Sequence, residues 1–230
     1  MNTVVTASWR RVQLWSEFVA LFVGLPLLMA AYFDQVLAWG YLGSFSLIAT
    51  IWVLAGVAAA LLAVTPGFTF RRIFNGAVFR EWRLIVGYAV LSTAACVFFV
   101  LLLMPGRLFD LPLERTLLWL IIVTAYPLLS AFPQEVIFRS LFFERYGLLF
   151  PSRIAAVAAN GAAFGLGHLF FMNPVTIAMT ALGGALIGWA YLTRGRSLML
   201  AWVLHSLAGQ IIFTSGIGIF FYHGAAAAIP

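Results

Sequence analysis

Residues 116–143 read TLLWLIIVTAYPLLSAFPQEVIFRSLFF. From Thr116 to Phe132 the run carries no charge and lacks the period-2 alternation of a strand, and its length is close to the ~20 residues that cross ~30 Å of hydrocarbon as a helix. Immediately after it come Gln134, Glu135 and Arg139, set among Val136, Ile137, Phe138, Leu141, Phe142 and Phe143. Ionisable groups at membrane depth are costly, so residues placed this way face a protein interior and carry function.

Further apolar stretches flank this one: Val12 to Phe33, Tyr41 to Val64, Leu84 to Met104, Ile154 to Met172, Val175 to Leu192 and Ser197 to Tyr222. With 64% hydrophobic residues, 9% charged residues and a mean hydropathy of +1.05, lipid is the solvent this chain is written for. The fold class expected is therefore all-α: a polytopic transmembrane bundle of seven helices, or eight if the last run breaks near Gly216 and Gly218. The whole chain, 1–230, is read as a single membrane domain, with N-terminal helices over 1–115 and a core bearing the polar residues over 116–222. Although Arg10 and Arg11 precede the first apolar run, Gln13, Ser16 and Glu17 interrupt its start and further spans follow, so it reads as a retained first helix.

The charge is distributed in small groups between spans. All 13 basic residues are arginine, and no basic block long enough to hold nucleic acid occurs. Arg10 and Arg11 lie before the first span and Asp34 after it; Arg71, Arg72, Arg80 and Arg83 surround the second connection. The third connection is balanced by Arg107, Asp110, Glu114 and Arg115. Arg139, Arg145 and Arg153 then return to the basic side, the Asn173-Pro174 turn is uncharged, and Arg194 and Arg196 are basic again. The positive-inside rule then predicts a cytoplasmic N-terminus and an outside C-terminus for seven spans. Cys96, the single cysteine, has no partner and reads as a small buried residue. The GxxxG spacings of Gly161 with Gly165 and Gly184 with Gly188 imply close approach of two late helices.

The polar residues of the second half include Gln134, Glu135, Arg139, His168, His205 and Gln210. Glu135 and Arg139, four apart, share a helix face where they can pair. One carboxylate and two imidazoles can activate water in either of two ways. They can bind a metal such as zinc through Glu135, His168 and His205, or Glu135 can act as general base while the imidazoles stabilise an oxyanion. Depth is an obstacle, because His168 lies 15 positions past Arg153, about 22 Å along a straight helix. Bringing Glu135 to it requires either that the helix after Phe132 stay submerged through Arg139 or that the Gly-rich fifth helix tilt or bend; the former is expected, with a kink at Pro127 or Pro133.

In this order these residues resemble the CPBP family of intramembrane proteases, which includes CAAX proteases, bacteriocin-processing enzymes and abortive-infection proteins. The family motifs are EExxxR, FxxxH and HxxxN or HxxxD, and their counterparts here are Gln134-Glu135-Val136-Ile137-Phe138-Arg139, Phe164 to His168, and His205 to Gly209. The resemblance covers about Phe132 to Tyr222. It implies an intramembrane endopeptidase that admits a hydrophobic or lipidated peptide from the bilayer, in a prokaryotic cytoplasmic membrane.

Two positions depart from the family pattern. Gln134 stands where the family has its first glutamate, and Gly209 where it has Asn or Asp. A carboxamide accepts no proton at neutral pH, so Glu135 would be the base, oriented by Arg139, with Gln134 orienting water or peptide. The same substitution motivates the alternative of a catalytically inactive member serving as a membrane scaffold, peptide-binding or immunity protein. The patterns HExxH and GxGD are absent, and Phe213-Thr214-Ser215-Gly216 lacks the first glycine of GxSG, so Ser215 reads as a packing hydroxyl. A small-solute transporter is disfavoured because no inverted repeat is apparent.

Overall fold

The computed structural model describes the backbone of residues 2–37, 41–74 and 78–221, with side chains over 9–33, 35, 47–71, 73 and 78–221. The side chains of Asp34 and Arg72, and Tyr222 with the C-terminal end, lie outside the described residues. Eight α-helices and no strand occur among those residues. The first, α1, runs Asn2–Val19 and continues through a π turn, Ala20–Gly24, into Leu25–Leu37. It is followed by α2 (Tyr41–Ala63), α3 (Trp82–Leu103) and the short α4 (Asp110–Glu114). The site-bearing half comprises α5 (Thr116–Leu149), α6 (Arg153–Leu166), α7 (Pro174–Thr193) and α8 (Leu198–Ser215).

Six of these helices are long and apolar enough to cross a membrane, and the stretch Leu47–Ala63 of α2 adds a shorter apolar helix. Their outward faces carry Val90, Leu91, Phe98, Leu117, Ile121 and Leu182, all exposed. Such a surface suits acyl chains. The last run breaks at Gly216, whose φ of 103° only glycine adopts freely, and a single 3₁₀ turn, Ile217–Phe220, follows.

The fourth apolar run does not end at Phe132. The helix continues unbroken for 34 residues, from Thr116 to Leu149. It is not a uniform α-helix: π segments occupy Pro127–Ala131 and Val136–Tyr146 on either side of Phe132–Glu135. Prolines are the local cause. Pro127 and Pro133 lack the N–H that would close a turn onto Val123 and Leu129, and the two carbonyls find donors on other helices. Gln210 Nε2 on α8 donates to Val123 O (3.3 Å), and Trp52 Nε1 on α2 donates to Leu129 O (3.2 Å). Trp202 Nε1 adds a bond to Pro127 O at 2.6 Å. Gln210 therefore repairs a backbone defect, and α5 runs on as one helix past Arg139.

Small residues set the α6–α7 contact. A methyl group on Gly161 would meet Ala181 O at 2.7 Å, and one on Gly165 would meet Ala181 Cβ at 2.9 Å. From the opposite side, Gly184 receives the Phe164 ring and Gly188 receives the Asn160 carboxamide. The two GxxxG spacings thus face each other, and the reading of them as packing devices is borne out. Ser152, Asn173 and Ser197 cap the N-termini of α6, α7 and α8. Cys96 is buried, and Ser215 Oγ donates to Ile212 O at 3.3 Å.

Ion pairs gather the arginine-rich connections at one end of the bundle: Arg145 with Glu17, Arg194 with Glu81, and Arg196 with Glu144. They tie the ends of α5, α1, α3 and the α7–α8 loop together.

Candidate active site

Glu135 and Arg139 are both fully buried, one turn apart on α5. Arg139 Nε lies 3.0 Å from Glu135 Oε2, an ion-pair contact in which neither atom makes a hydrogen bond. The guanidinium is held instead by α6, where Asn160 Oδ1 accepts from Nη1 at 2.7 Å while Asn160 Nδ2 donates to Phe138 O at 2.6 Å. Asn160 therefore satisfies a cation and a backbone carbonyl at once.

The other oxygen of Glu135 belongs to α8. His205 Nδ1–H donates to Oε1 at 2.7 Å, since an ionised carboxylate only accepts. In the neutral imidazole this leaves the lone pair on Nε2, where Tyr126 O–H donates at 2.8 Å. Arg139, Glu135, His205 and Tyr126 thus form one connected line from the core to α5's earlier turn.

His168 is reached differently. Helix α6 ends at Leu166, so its last carbonyls lack intrahelical donors. His168 folds back and its Nδ1–H donates to Phe164 O at 2.8 Å, which is what the FxxxH spacing accomplishes. The remaining lone pair is on Nε2, where no partner among the described residues meets it. Phe164 is the floor of the site. Its ring lies 4.7 Å from the His168 ring and 5.4 Å from the His205 ring, and Arg139 Cζ is 5.1 Å from its centroid.

These groups border a cavity of about 310 Å³. Its polar wall is Tyr126, Ser130, Gln134, His168, Thr180 and His205; the apolar wall comes largely from α1 and α2, through Leu25, Met29, Ile48, Ile51 and Leu54. Gln134 Nε2 donates to Ser130 Oγ at 2.9 Å, and its Oε1 is buried without a protein partner. Glu135 does not line the cavity. Its path to anything bound there runs through His205.

Five of the six polar residues singled out from the sequence, Gln134, Glu135, Arg139, His168 and His205, stand at this one location; Gln210 does not. The sequence reading missed Tyr126 and Asn160. Asn160 had a signal, a carboxamide inside an apolar run, whereas Tyr126 had only the empty place at Gly209. In this arrangement both ring nitrogens of His205 are engaged, Nδ1 by Glu135 and Nε2 by Tyr126. Among the described residues no group of three His, Cys, Asp or Glu side chains could hold a metal.

Buried polar site and apolar helical bundle together define a polytopic, all-helical membrane protein. Residues 114–211 match the family model described as Type II CAAX prenyl endopeptidase Rce1-like. The match over that segment is consistent with the CPBP family. No curated protein and no solved structure matches the chain.

Proposed function

We propose that the protein is an intramembrane endopeptidase acting on hydrophobic or lipidated peptides in a prokaryotic cytoplasmic membrane, with its arginine-rich end and N-terminus on the cytoplasmic side. The observation that carries the reading is an apolar cavity, open to an extended greasy chain, whose one polar wall presents two imidazoles with defined tautomers. A water lodged between the free Nε2 of His168 and the unpaired Oε1 of Gln134 would lose its proton to His168. As the water oxygen bonds to the scissile carbonyl carbon, the proton taken up by His168 passes to the leaving amine while the C–N bond breaks, and Glu135, anchored by Arg139, holds His205 in place beside them. Pre-organisation of this kind, in a dry site, is worth the most where charge develops.

The test is cleavage of membrane peptides by purified protein in lipid nanodiscs, followed by mass spectrometry, for the native chain and for Glu135→Ala, His168→Ala and His205→Ala. Each variant is expected to lose at least about 100-fold in rate. Undiminished cleavage in all three would end the assignment.

A second reading, a peptide-binding protein without turnover, is favoured by the carboxamide of Gln134 facing the cavity where a carboxylate would serve as a base. It predicts that the native chain binds but does not cleave, and that Gln134→Glu creates cleavage. In the hydrolase reading the native chain already cleaves.

A further inference from the structure

Gly209 is the position at which this chain departs from the HxxxN or HxxxD pattern, and the structure fills that departure from another helix. A Cβ built at Gly209 overlaps the ring carbons of Tyr126. The phenol can lie there only because residue 209 has no side chain, and in lying there it delivers its hydroxyl to His205 Nε2 at 2.8 Å. Its ring is further fixed edge-on to His205 (5.8 Å) and to Phe213 (5.7 Å). Tyr126 also lines the cavity, so the hydrogen bond stands at the wall where a peptide would bind.

We infer that Tyr126 is the positioning residue of His205 in this chain, and that Tyr126 and Gly209 act as one coupled pair in place of a polar residue one turn beyond the histidine. Positions 205 and 209 share a face of α8, so a carboxamide at 209 would stand beside the same imidazole. The phenol and such a carboxamide cannot coexist, because they claim the same space. With Glu135 holding Nδ1 and Tyr126 holding Nε2, the imidazole plane is pinned at both ends and a single tautomer is selected. The consequence for catalysis rests on the hydrolase reading above; the positioning itself does not.

Two measurements test it. In protein labelled with ¹⁵N-histidine, with His205 assigned by its absence from His205→Ala, the Nε2 resonance is expected to move by several ppm in Tyr126→Phe, as an acceptor that has lost its donor. In turnover, Tyr126→Phe is expected to lower kcat roughly 10-fold with KM within about twofold, the effect of one hydrogen bond on an oriented imidazole. Gly209→Asn alone should be disruptive. Tyr126→Ala alone should be impaired, and Tyr126→Ala with Gly209→Asn should recover at least about 10-fold over Tyr126→Ala, a sign reversal that independent sites do not produce. If the native protein cleaves nothing, the hydrolase reading fails and the nitrogen shifts alone decide. Unchanged His205 ring resonances in Tyr126→Phe would overturn the inference, as would a double variant no better than Tyr126→Ala in a protein that does cleave.

Discussion

Of the glutamate–arginine pairs that join this molecule, Glu17–Arg145 at the arginine-rich end and Glu135–Arg139 in the core spend their carboxylates differently. Glu17 and Arg145 meet across 128 residues as a fork, with Nε to Oε2 at 2.8 Å and Nη2 to Oε1 at 3.0 Å. Gln13 and Tyr146 donate to the same carboxylate, and Arg145 Nη1 reaches Thr65 Oγ1 and Leu61 O. Every valence is used up between α1, α2 and α5, and the pair is a clamp. Glu135 and Arg139 sit one turn apart with 0% exposure, and Glu135 gives the guanidinium only one oxygen while the other holds His205. A saturated carboxylate fastens helices; a divided one passes its charge to an imidazole. Seating a partly satisfied guanidinium beside such a group costs stability, which the remainder of the bundle must supply.

The largest break in that comparison is Arg139→Met. It leaves Glu135 charged, buried and paired only with His205, and should destabilise the bundle by about 3–5 kcal/mol while abolishing turnover. Thermal unfolding in detergent reads the first effect, and a Tm equal to native would show that the core pair contributes nothing. Asn160→Ala comes next. It removes the closer of the two side-chain donors to Phe138 O and the main anchor of Arg139, for an expected loss of about 1–3 kcal/mol. Because it leaves the Glu135–His205 bond untouched, the loss in rate should be smaller than for Arg139→Met; equal losses would mean that Asn160 acts on His205 as well.

Gly161→Leu probes the packing that brings Asn160 to Arg139. The side chain would collide with Ala181 O, a backbone atom that cannot swing aside, and about 1–3 kcal/mol of destabilisation is expected from the overpacking. The smallest effect belongs to the clamp. Glu17 is partly exposed, at 23%, so Glu17→Gln should cost no more than about 1 kcal/mol, diminish further in high salt, and leave cleavage within about twofold. A loss of activity as deep as that from Arg139→Met would erase the distinction between the two pairs.

Much of this could be read from the chain alone. Apolar runs of spanning length declare their helices because lipid tolerates no unsatisfied backbone, and the order of ExxxR, FxxxH and the histidine at 205 marked the residues that meet. The end of the fourth run was misjudged because Gln134, Glu135 and Arg139 look like a boundary. In fact Glu135 and Arg139 offset each other's charge, and the hydrogen bonds that complete them come from Asn160 and His205, 21 and 70 positions away, a distance that leaves no local trace.

By itself, the sequence determined that the protein lives in a membrane, how many apolar helices it has and which polar side chains are worth finding together, since hydropathy and spacing act locally along the chain. Only the tertiary structure decided which way each of those side chains faces. Gln134 and Glu135 are neighbours in sequence, yet one borders the cavity and the other is sealed behind His205, because adjacent residues on a helix point about 100° apart. Tyr126 joined them for a reason no local pattern contains: the ring needs the space left by a missing side chain on another helix.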